Sequence, residues 1–199
     1  MAKNINNTNR FLYCILCFCI SWITPNITFA TTDPLNSNDP LTRLVYVYRS
    51  QIGVKELTGN NDGEQIWEYQ KAGGIKKGQA WCAAYVAWCF QQANIKAIKS
   101  GWSPAWFTPK YVIYKKGISS LQEEPQQGDV AGLYYAKLGR YGHTFFIDYW
   151  SKSNFCITNE GNSNEDGSRE GNKVVKKKRL KSQINVVARY LPKHNRYIP

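Results

Sequence analysis

Residues 79–90 read QAWCAAYVAWCF. It follows a cluster of glycines, contains no Gly, Pro, Asp or Asn, and the apolar character continues to Ile95. An alanine-rich apolar run of this kind predicts a buried helix of about four turns. Cys82 falls in the first turn, where unpaired backbone N–H groups and the positive end of the helix dipole favour a thiolate. Cys82 is therefore a candidate nucleophile; the alternative is a small buried hydrophobe.

The first 30 residues have the pattern of a secretory signal peptide. Lys3 and Arg10 precede an apolar run over 11–23, and Ala30 offers a small residue for cleavage. The run is shorter than the roughly 20 residues of a membrane-spanning helix. We therefore predict cleavage after Ala30, a secreted or periplasmic protein, and no stable membrane span. A membrane anchor is the alternative interpretation.

The residues after the predicted signal peptide, 31–199, are long enough for one domain with a hydrophobic core. We predict a disordered lead-in over 31–40, a folded domain over 41–192 and a basic tail over 193–199. With the two basic residues of the signal peptide subtracted from 26, this part holds 24 Lys and Arg against 14 Asp and Glu, a formal charge of +10. Basic exported proteins commonly meet anionic surfaces such as cell wall, outer-membrane lipid or nucleic acid, and charge alone does not choose among them.

Three of the six cysteines remain after residue 30: Cys82, Cys89 and Cys156. Cys82 and Cys89 are seven helical residues apart, about 10.5 Å along the axis. A disulfide needs Cα atoms within about 7 Å, so these two cannot pair, and only a bridge to Cys156 is open. The odd number leaves at least one thiol free, which excludes a small disulfide-stapled scaffold.

Patterns elsewhere predict helices first and strands afterwards. Apolar side chains at three- and four-residue spacing predict helices over 41–53 and 64–72. From residue 128 onward the period changes to two, which is typical of strands. The predicted strands cover 129–135, 143–150, 155–160, 174–179 and 186–190, with a hairpin turn at 151–154. Helices followed by an antiparallel sheet predict an α+β fold.

The hairpin allows a geometric prediction about the site. If the two residues that flank the 151–154 turn pair, His143 lies opposite Asn162 and Phe145 lies opposite Glu160. Glu160 and Asn162 then rise on the face of the sheet that carries His143. A slip of one residue would move both to the other face.

These residues supply what cysteine-dependent acyl transfer needs. Cys82 is the candidate nucleophile and His143 the candidate base, with Glu160 or Asn162 to orient the imidazole. The only other histidine after residue 30, His194, lies in the basic tail without suitable neighbours. A structural role is the alternative for His143. The histidines and cysteines lack the spacing of a zinc site, and we expect no metal and no cofactor.

Two further sets of residues are candidates for contact with substrate. The backbone N–H of Cys82 would stabilise an oxyanion, and Gln79 is the nearest candidate for a second donor. Trp102 and Trp106 lie in a loop rich in Gly, Ser and Pro. They would either line a substrate groove or close the edge of the core, and the sequence does not choose between the two.

Four short motifs together resemble the CHAP family of cysteine- and histidine-dependent amidohydrolases and peptidases, relatives of the NlpC-type wall peptidases. They are WCAAYV at 81–86, QGDV at 127–130, GH at 142–143 and EGN at 160–162. Their order and spacing carry the resemblance, which spans roughly 41–190. It implies a papain-like α+β fold in which a helix that presents the cysteine packs on an antiparallel sheet that bears the histidine.

The resemblance also implies a site and a substrate. The catalytic residues would be Cys82, His143 and Glu160, with Asn162 as a fourth candidate and no metal. The substrate would be peptidoglycan, cleaved at an amide bond of the peptide stem, the cross-bridge or the sugar–peptide link, and we expect no nucleic-acid partner. The basic segment 173–181 would bind anionic wall polymers or form a solvated edge strand. A non-catalytic wall-binding module and an antibacterial toxin with the same triad are the alternatives.

Overall fold

In the computed structural model, which describes residues 33–164, 171–194 and 197–199, three α-helices precede an antiparallel sheet. The predicted signal peptide lies outside these residues. The helices are α1 Pro40–Ser50, α2 Glu64–Ala72 and α3 Cys82–Gln92. The strands are β1 Val112–Lys115, β2 Val130–Tyr135, β3 Arg140–Trp150, β4 Phe155–Ser163, β5 Lys173–Leu180 and β6 Val186–Ala188. Their order across the sheet is β1-β6-β2-β3-β4-β5. The predicted α+β class is confirmed, although β1 was not predicted from the sequence.

Helix α3 is shorter than the sequence predicts. It ends at Gln92 instead of continuing to Ile95, because Asn94 adopts a positive φ of 53°. The N–H of Ile95 then donates to the carbonyl of Phe90 at 2.9 Å, and that of Asn94 donates to the carbonyl of Gln91 at 3.0 Å. This pair of bonds is the Schellman arrangement that closes a helix, with Asn in the position more often held by Gly.

The described part of the predicted disordered lead-in, 33–40, is instead structured. The Asp33 carboxylate accepts from the N–H of Leu35 and starts a short 3₁₀ turn at Pro34–Asn36. The carbonyl of Ser37 accepts a hydrogen bond from the Arg43 guanidinium of α1. These local bonds hold a segment whose composition alone indicates disorder.

The apolar face of the helical layer packs on one face of the sheet. Tyr85 and Phe90 of α3 and Tyr48 of α1 all contact the ring of Phe146 on β3, with centroids 5.0 to 6.4 Å apart. The neighbouring side chain, Phe145, faces the other way and joins a second buried cluster on the opposite side of the sheet. Successive residues of β3 therefore serve two cores, as the period of two requires.

The β3–β4 hairpin differs from its predicted register at the turn and matches it farther from the turn. Trp150 pairs with Cys156, not with Phe155. A β-bulge then follows, and the next pair is Ile147 with Thr158, which is the predicted register. The extra residue in β3 compensates for the shift at the turn. The predicted register therefore holds as far as the pair Phe146–Asn159, although the pairing at the turn was wrong.

The bulge coincides with a buried carboxylate. Asp148 is only 1% exposed and accepts hydrogen bonds from the Tyr48 hydroxyl at 2.7 Å and from Arg49 Nε at 2.9 Å. Arg49 also donates to the carbonyls of Ile198 and Pro199, in the described part of the predicted basic tail. The chain end is therefore bonded to α1. No helix in the described part of the chain is long and apolar enough to cross a membrane.

Strand β5, within the basic segment 173–181, is at the edge of the sheet. Two of its cations are engaged inside the molecule: Arg179 pairs with Glu160, and Lys176 lies 3.4 Å from Asp148. Lys178 lies over the ring of Phe155 at 4.3 Å. These contacts favour the edge-strand interpretation of the segment over a polymer-binding surface.

Candidate active site

Cys82 is the first residue of α3, with Trp81 as the N-cap. No side chain of the described residues caps this end of the helix, so the N-terminal N–H groups remain available to a charge placed there. Cys82 is 7% exposed, and its sulfur lies 3.6 Å from the hydroxyl oxygen of Ser103. A thiol at this position is nearly enclosed yet still borders a cleft.

His143 is bonded to a buried carboxylate. Its Nε2 lies 3.0 Å from Oε2 of Glu160, which is 0% exposed. Arg179 of β5 forms a bidentate pair with the same carboxylate, donating from Nε at 2.5 Å and from Nη2 at 2.6 Å. The hydroxyls of Thr158 and Ser163 donate to it as well. The four donors satisfy the carboxylate and fix its position beside the imidazole.

Cys82 and His143 lie close enough for each to shift the pKa of the other. Because Nε2 of His143 is engaged by Glu160, Nδ1 is the ring nitrogen left for the thiol. The structure thus brings the predicted trio of Cys82, His143 and Glu160 together from α3, β3 and β4.

The interaction between Cys82 and His143 shifts their pKa values in opposite directions. Burial raises the pKa of the Cys82 thiol, but the hydrogen bond and charge of His143 outweigh it and lower that pKa to about 7. Burial lowers the pKa of His143, whereas its bonds to Cys82 and Glu160 raise it to about 9. Burial also opposes ionisation of Glu160, yet Arg179 and His143 hold its pKa well below the ordinary range. A thiolate facing an imidazolium is the favoured state near neutral pH.

Asn162 does not contact His143; it holds the residue before the nucleophile. Its Oδ1 accepts a hydrogen bond from the N–H of Trp81 at 3.0 Å. Glu56 fixes the same tryptophan from the side, because its Oε1 accepts from the indole N–H at 2.8 Å. The Nδ2 of Asn162 donates to the oxygen of Asn61 at 3.2 Å. The prediction that Asn162 orients the imidazole is therefore corrected: Glu160 does so, and Asn162 anchors the start of α3.

We expect Asn162→Ala to lower kcat about tenfold, because Trp81 and the thiol after it lose their anchor. Asn162 has a positive φ of 51°, so alanine adds about 1 kcal/mol of backbone strain. Asn162→Gly is the matched variant, since glycine tolerates this φ but also lacks the acceptor. Both should lose kcat equally, and only the alanine variant should lose the additional stability in a denaturant titration. Unchanged kcat in both variants would contradict the anchoring role.

Gln79 stays a prediction as the second oxyanion donor. Gln79 and Cys82 line the same cleft, which has a volume of about 250 Å³. The Oε1 of Gln79 accepts from the N–H of Lys76 at 2.8 Å. This bond orients the side-chain amide and leaves its NH₂ group as the end that can donate to a substrate oxygen.

The two candidate tryptophans, Trp102 and Trp106, lie in different environments. Trp106 is fully buried, stacks on Phe90 with centroids 5.7 Å apart, and donates its indole N–H to the carbonyl of Ser100. Of the two alternatives left open for Trp106, the structure therefore favours the second, because its ring fills the core beside α3. Trp102 is 52% exposed and lines the Cys82 cleft under the guanidinium of Arg140.

Sequence reasoning missed two residues of the site. Ser103, buried beside the thiol, had no signal beyond its place in the loop between the two tryptophans. Arg179 was grouped with the basic segment 173–181, where nothing in the sequence distinguishes it from the neighbouring lysines. His143 and Arg179 also border a second cleft, of about 470 Å³.

A family model matches this region of the chain. The model of the CHAP domain covers residues 74–162, a range that includes α3, β2, β3 and nearly all of β4. Residues 74–162 are therefore similar to a CHAP domain. The resemblance seen in the motifs is thereby confirmed. CHAP domains are generally domains of peptidoglycan hydrolases and amidases.

The three residues of the predicted trio all lie inside the matched range, whereas Arg179 and Glu56 lie outside it. Both nevertheless contact residues of the trio or their anchors. The chain shows no match among curated proteins and none among solved structures. Any function more specific than the family similarity is therefore inferred from the geometry of the site.

Proposed function

We propose that this protein is an exported cysteine hydrolase that cleaves an amide bond of peptidoglycan through an acyl-enzyme. The observation that carries the proposal is the placement of Cys82 beside His143, whose Nε2 is hydrogen-bonded to the buried Glu160. A cysteine at a helix start, a histidine within reach and a carboxylate behind it are the parts of a cysteine acyl-transfer site. The similarity to a CHAP domain directs this chemistry toward peptidoglycan.

Each residue has a defined task in the reaction. The Cys82 thiolate attacks the amide carbonyl, and the carbonyl oxygen gains the negative charge. The N–H of Cys82 and the amide of Gln79 donate to that oxyanion. The His143 imidazolium gives its proton to the departing amine as the C–N bond breaks, which leaves a thioester on Cys82. The now neutral His143 then takes a proton from water, the hydroxide adds to the thioester, and the thiolate and a carboxylic acid are released.

Glu160 acts on the imidazole and not on the substrate. Because it is fixed by Arg179 and two hydroxyls, it presents one oxygen to His143 in a constant position. This holds the ring with the other nitrogen toward Cys82 and stabilises the imidazolium. Because Arg179 binds both oxygens of Glu160, part of the carboxylate charge is neutralised. His143 can therefore still give its proton to the leaving amine.

The dependence of kcat/KM on pH should be bell-shaped, with its highest values between about pH 7 and pH 9. Below this range Cys82, whose pKa is about 7, is protonated and the nucleophile is lost. Above it His143, whose pKa is about 9, loses the proton that the leaving amine needs. The two limbs belong to the coupled pair. Initial rates on a soluble muropeptide across pH 5 to 10 check this, and a profile that rises without a descending limb would contradict the role of His143.

Mass spectrometry of peptides released from purified sacculi tests the proposal. The mature protein should release fragments with one new amine for each new carboxylate or amide-derived acid, and His143→Ala should release none. The fragment masses also identify the bond that is cut. Binding to sacculi without release of fragments would overturn the hydrolase proposal in favour of a wall-binding module.

A further inference from the structure

Arg140 is the cation of the cleft that holds Cys82. The side chains and backbone around this cleft include Cys82, Gln79, Trp102, Ser103 and Arg140, and none of its described lining residues is acidic. The guanidinium carbon of Arg140 lies 4.1 Å from the centroid of the Trp102 ring. Stacking on an aromatic face fixes the plane of a guanidinium and leaves its edge free to donate.

The donors of Arg140 are mostly unused in the described structure. Its Nη1 donates to the carbonyl of Tyr141 at 3.2 Å, and within the described residues no carboxylate pairs with it. Three other arginines each hold a carboxylate: Arg49 holds Asp148, Arg179 holds Glu160, and Arg189 holds Asp129. Within the described residues, Arg140 is thus oriented by a ring and has no anionic partner, unlike Arg49, Arg179 and Arg189.

Trp102 supports the same interpretation. Its ring is more than half exposed, although large aromatic side chains are usually covered in a domain of this size. The two partners sit on different elements, Trp102 before the 3₁₀ turn Ser103–Trp106 and Arg140 at the start of β3. They meet at the cleft of the thiol, whose volume of about 250 Å³ suits a few atoms of a peptide rather than a folded partner.

We propose that Arg140, stacked on Trp102, binds a carboxylate of the substrate next to the amide bond that Cys82 attacks. The proposal rests on the proposed function, because the amide is the group that reacts at Cys82. It names the substrate class: peptides with a free carboxylate close to the scissile bond. The planar fork of arginine matches a carboxylate with two parallel hydrogen bonds, and the acid-free cleft favours an anion.

Two stem peptides that differ in one group test this specificity. One carries the free α-carboxylate of its γ-linked D-glutamate, and in the other that carboxylate is a primary amide. The wild-type kcat/KM should be about 10- to 100-fold higher for the acid. In Arg140→Gln the two peptides should fall within about threefold of each other, through a higher KM for the acid with little change in kcat. Trp102→Leu should lose part of the preference, because the guanidinium is no longer held in plane.

Lys110→Gln is the matched control. Lys110 also lies over an aromatic ring, Tyr111, at 5.2 Å and also carries one positive charge, but it does not line the cleft. The control should keep the full preference for the acid. Loss of preference in Lys110→Gln equal to that in Arg140→Gln would overturn the proposal, because the effect would then be one of net charge.

Calorimetric titration of Cys82→Ala with the same two peptides separates this proposal from the proposed function. Tighter binding of the acid that disappears when Arg140→Gln is added supports the carboxylate site whether or not the wild type cleaves either peptide. Equal affinity for both peptides overturns the carboxylate site even if the wild type cleaves both. Absence of cleavage by the wild type, with acid-selective binding intact, would instead count against the hydrolase proposal alone.

Discussion

Cys82→Ala should lower kcat/KM on a soluble muropeptide by about 10⁴-fold or more. Removal of the nucleophile eliminates the covalent route and leaves the oxyanion donors and binding contacts, which alone give weak catalysis. The fold should survive, because alanine fits the space of a cysteine and favours the helix. The rate of amine release checks the activity, and the near-ultraviolet circular dichroism spectrum checks that the tertiary packing is unchanged.

Cys89→Ala is the control for the same chemical change. Cys89 lies on the same helix two turns further on, is fully buried, and packs in the core rather than at the cleft. Its loss should cost roughly 1–2 kcal/mol of unfolding free energy through the cavity left behind, with kcat nearly unchanged. Full activity in Cys82→Ala, or an equal loss in both variants, would contradict the assignment of Cys82 as nucleophile.

Local patterns in the sequence predicted most of the elements. Helix α2 has the predicted bounds, 64–72, because its apolar spacing is clear and glycines flank it on both sides. The end of α3 was misplaced because Asn94 stops the helix by adopting a left-handed conformation. The presence of an asparagine in an apolar run does not by itself predict that conformation. Strand β1 was missed because its four residues hold no alternation long enough to recognise.

The site was partly predictable because His143 and Glu160 lie on the two strands of one hairpin, and Cys82 lies at the start of a helix. Glu160 was placed beside His143 by counting across the hairpin, and this worked only because the bulge next to Ile147 restored the register. No pattern in the sequence of β3 predicts that bulge. The role of Asn162 was assigned to the wrong neighbour because a positive φ turns its side chain toward Trp81, and sheet alternation does not describe such a residue.

Partners that join from distant segments could not be found from the sequence. Glu56 binds Trp81 across 25 residues, and Arg179 binds Glu160 across 19. Each contact depends on which strand or loop arrives beside the site, and that is decided by packing of the whole domain. The same reason separates Trp102 from Trp106: four residues apart in one loop, one ring faces the cleft and the other enters the core.

Glu160→Gln should reduce kcat by about 10² to 10⁴-fold, because the imidazolium loses its charged partner and its fixed orientation. The descending limb of the pH profile should also move to lower pH, since Glu160 is among the groups that raise the pKa of His143. The change also leaves Arg179 partly buried without its carboxylate. Breaking a buried pair in this way costs about 3–5 kcal/mol of unfolding free energy.

The double variant Glu160→Gln with Arg179→Gln separates catalysis from stability. It removes both charges, so no cation remains buried without a partner, and much of the lost unfolding free energy should return. Catalysis should not return, because the imidazolium still lacks an anion behind it. Denaturant titrations and kcat on the same muropeptide measure the two effects. Recovery of kcat together with stability would mean that Glu160 serves the fold, and that His143 is oriented by other contacts.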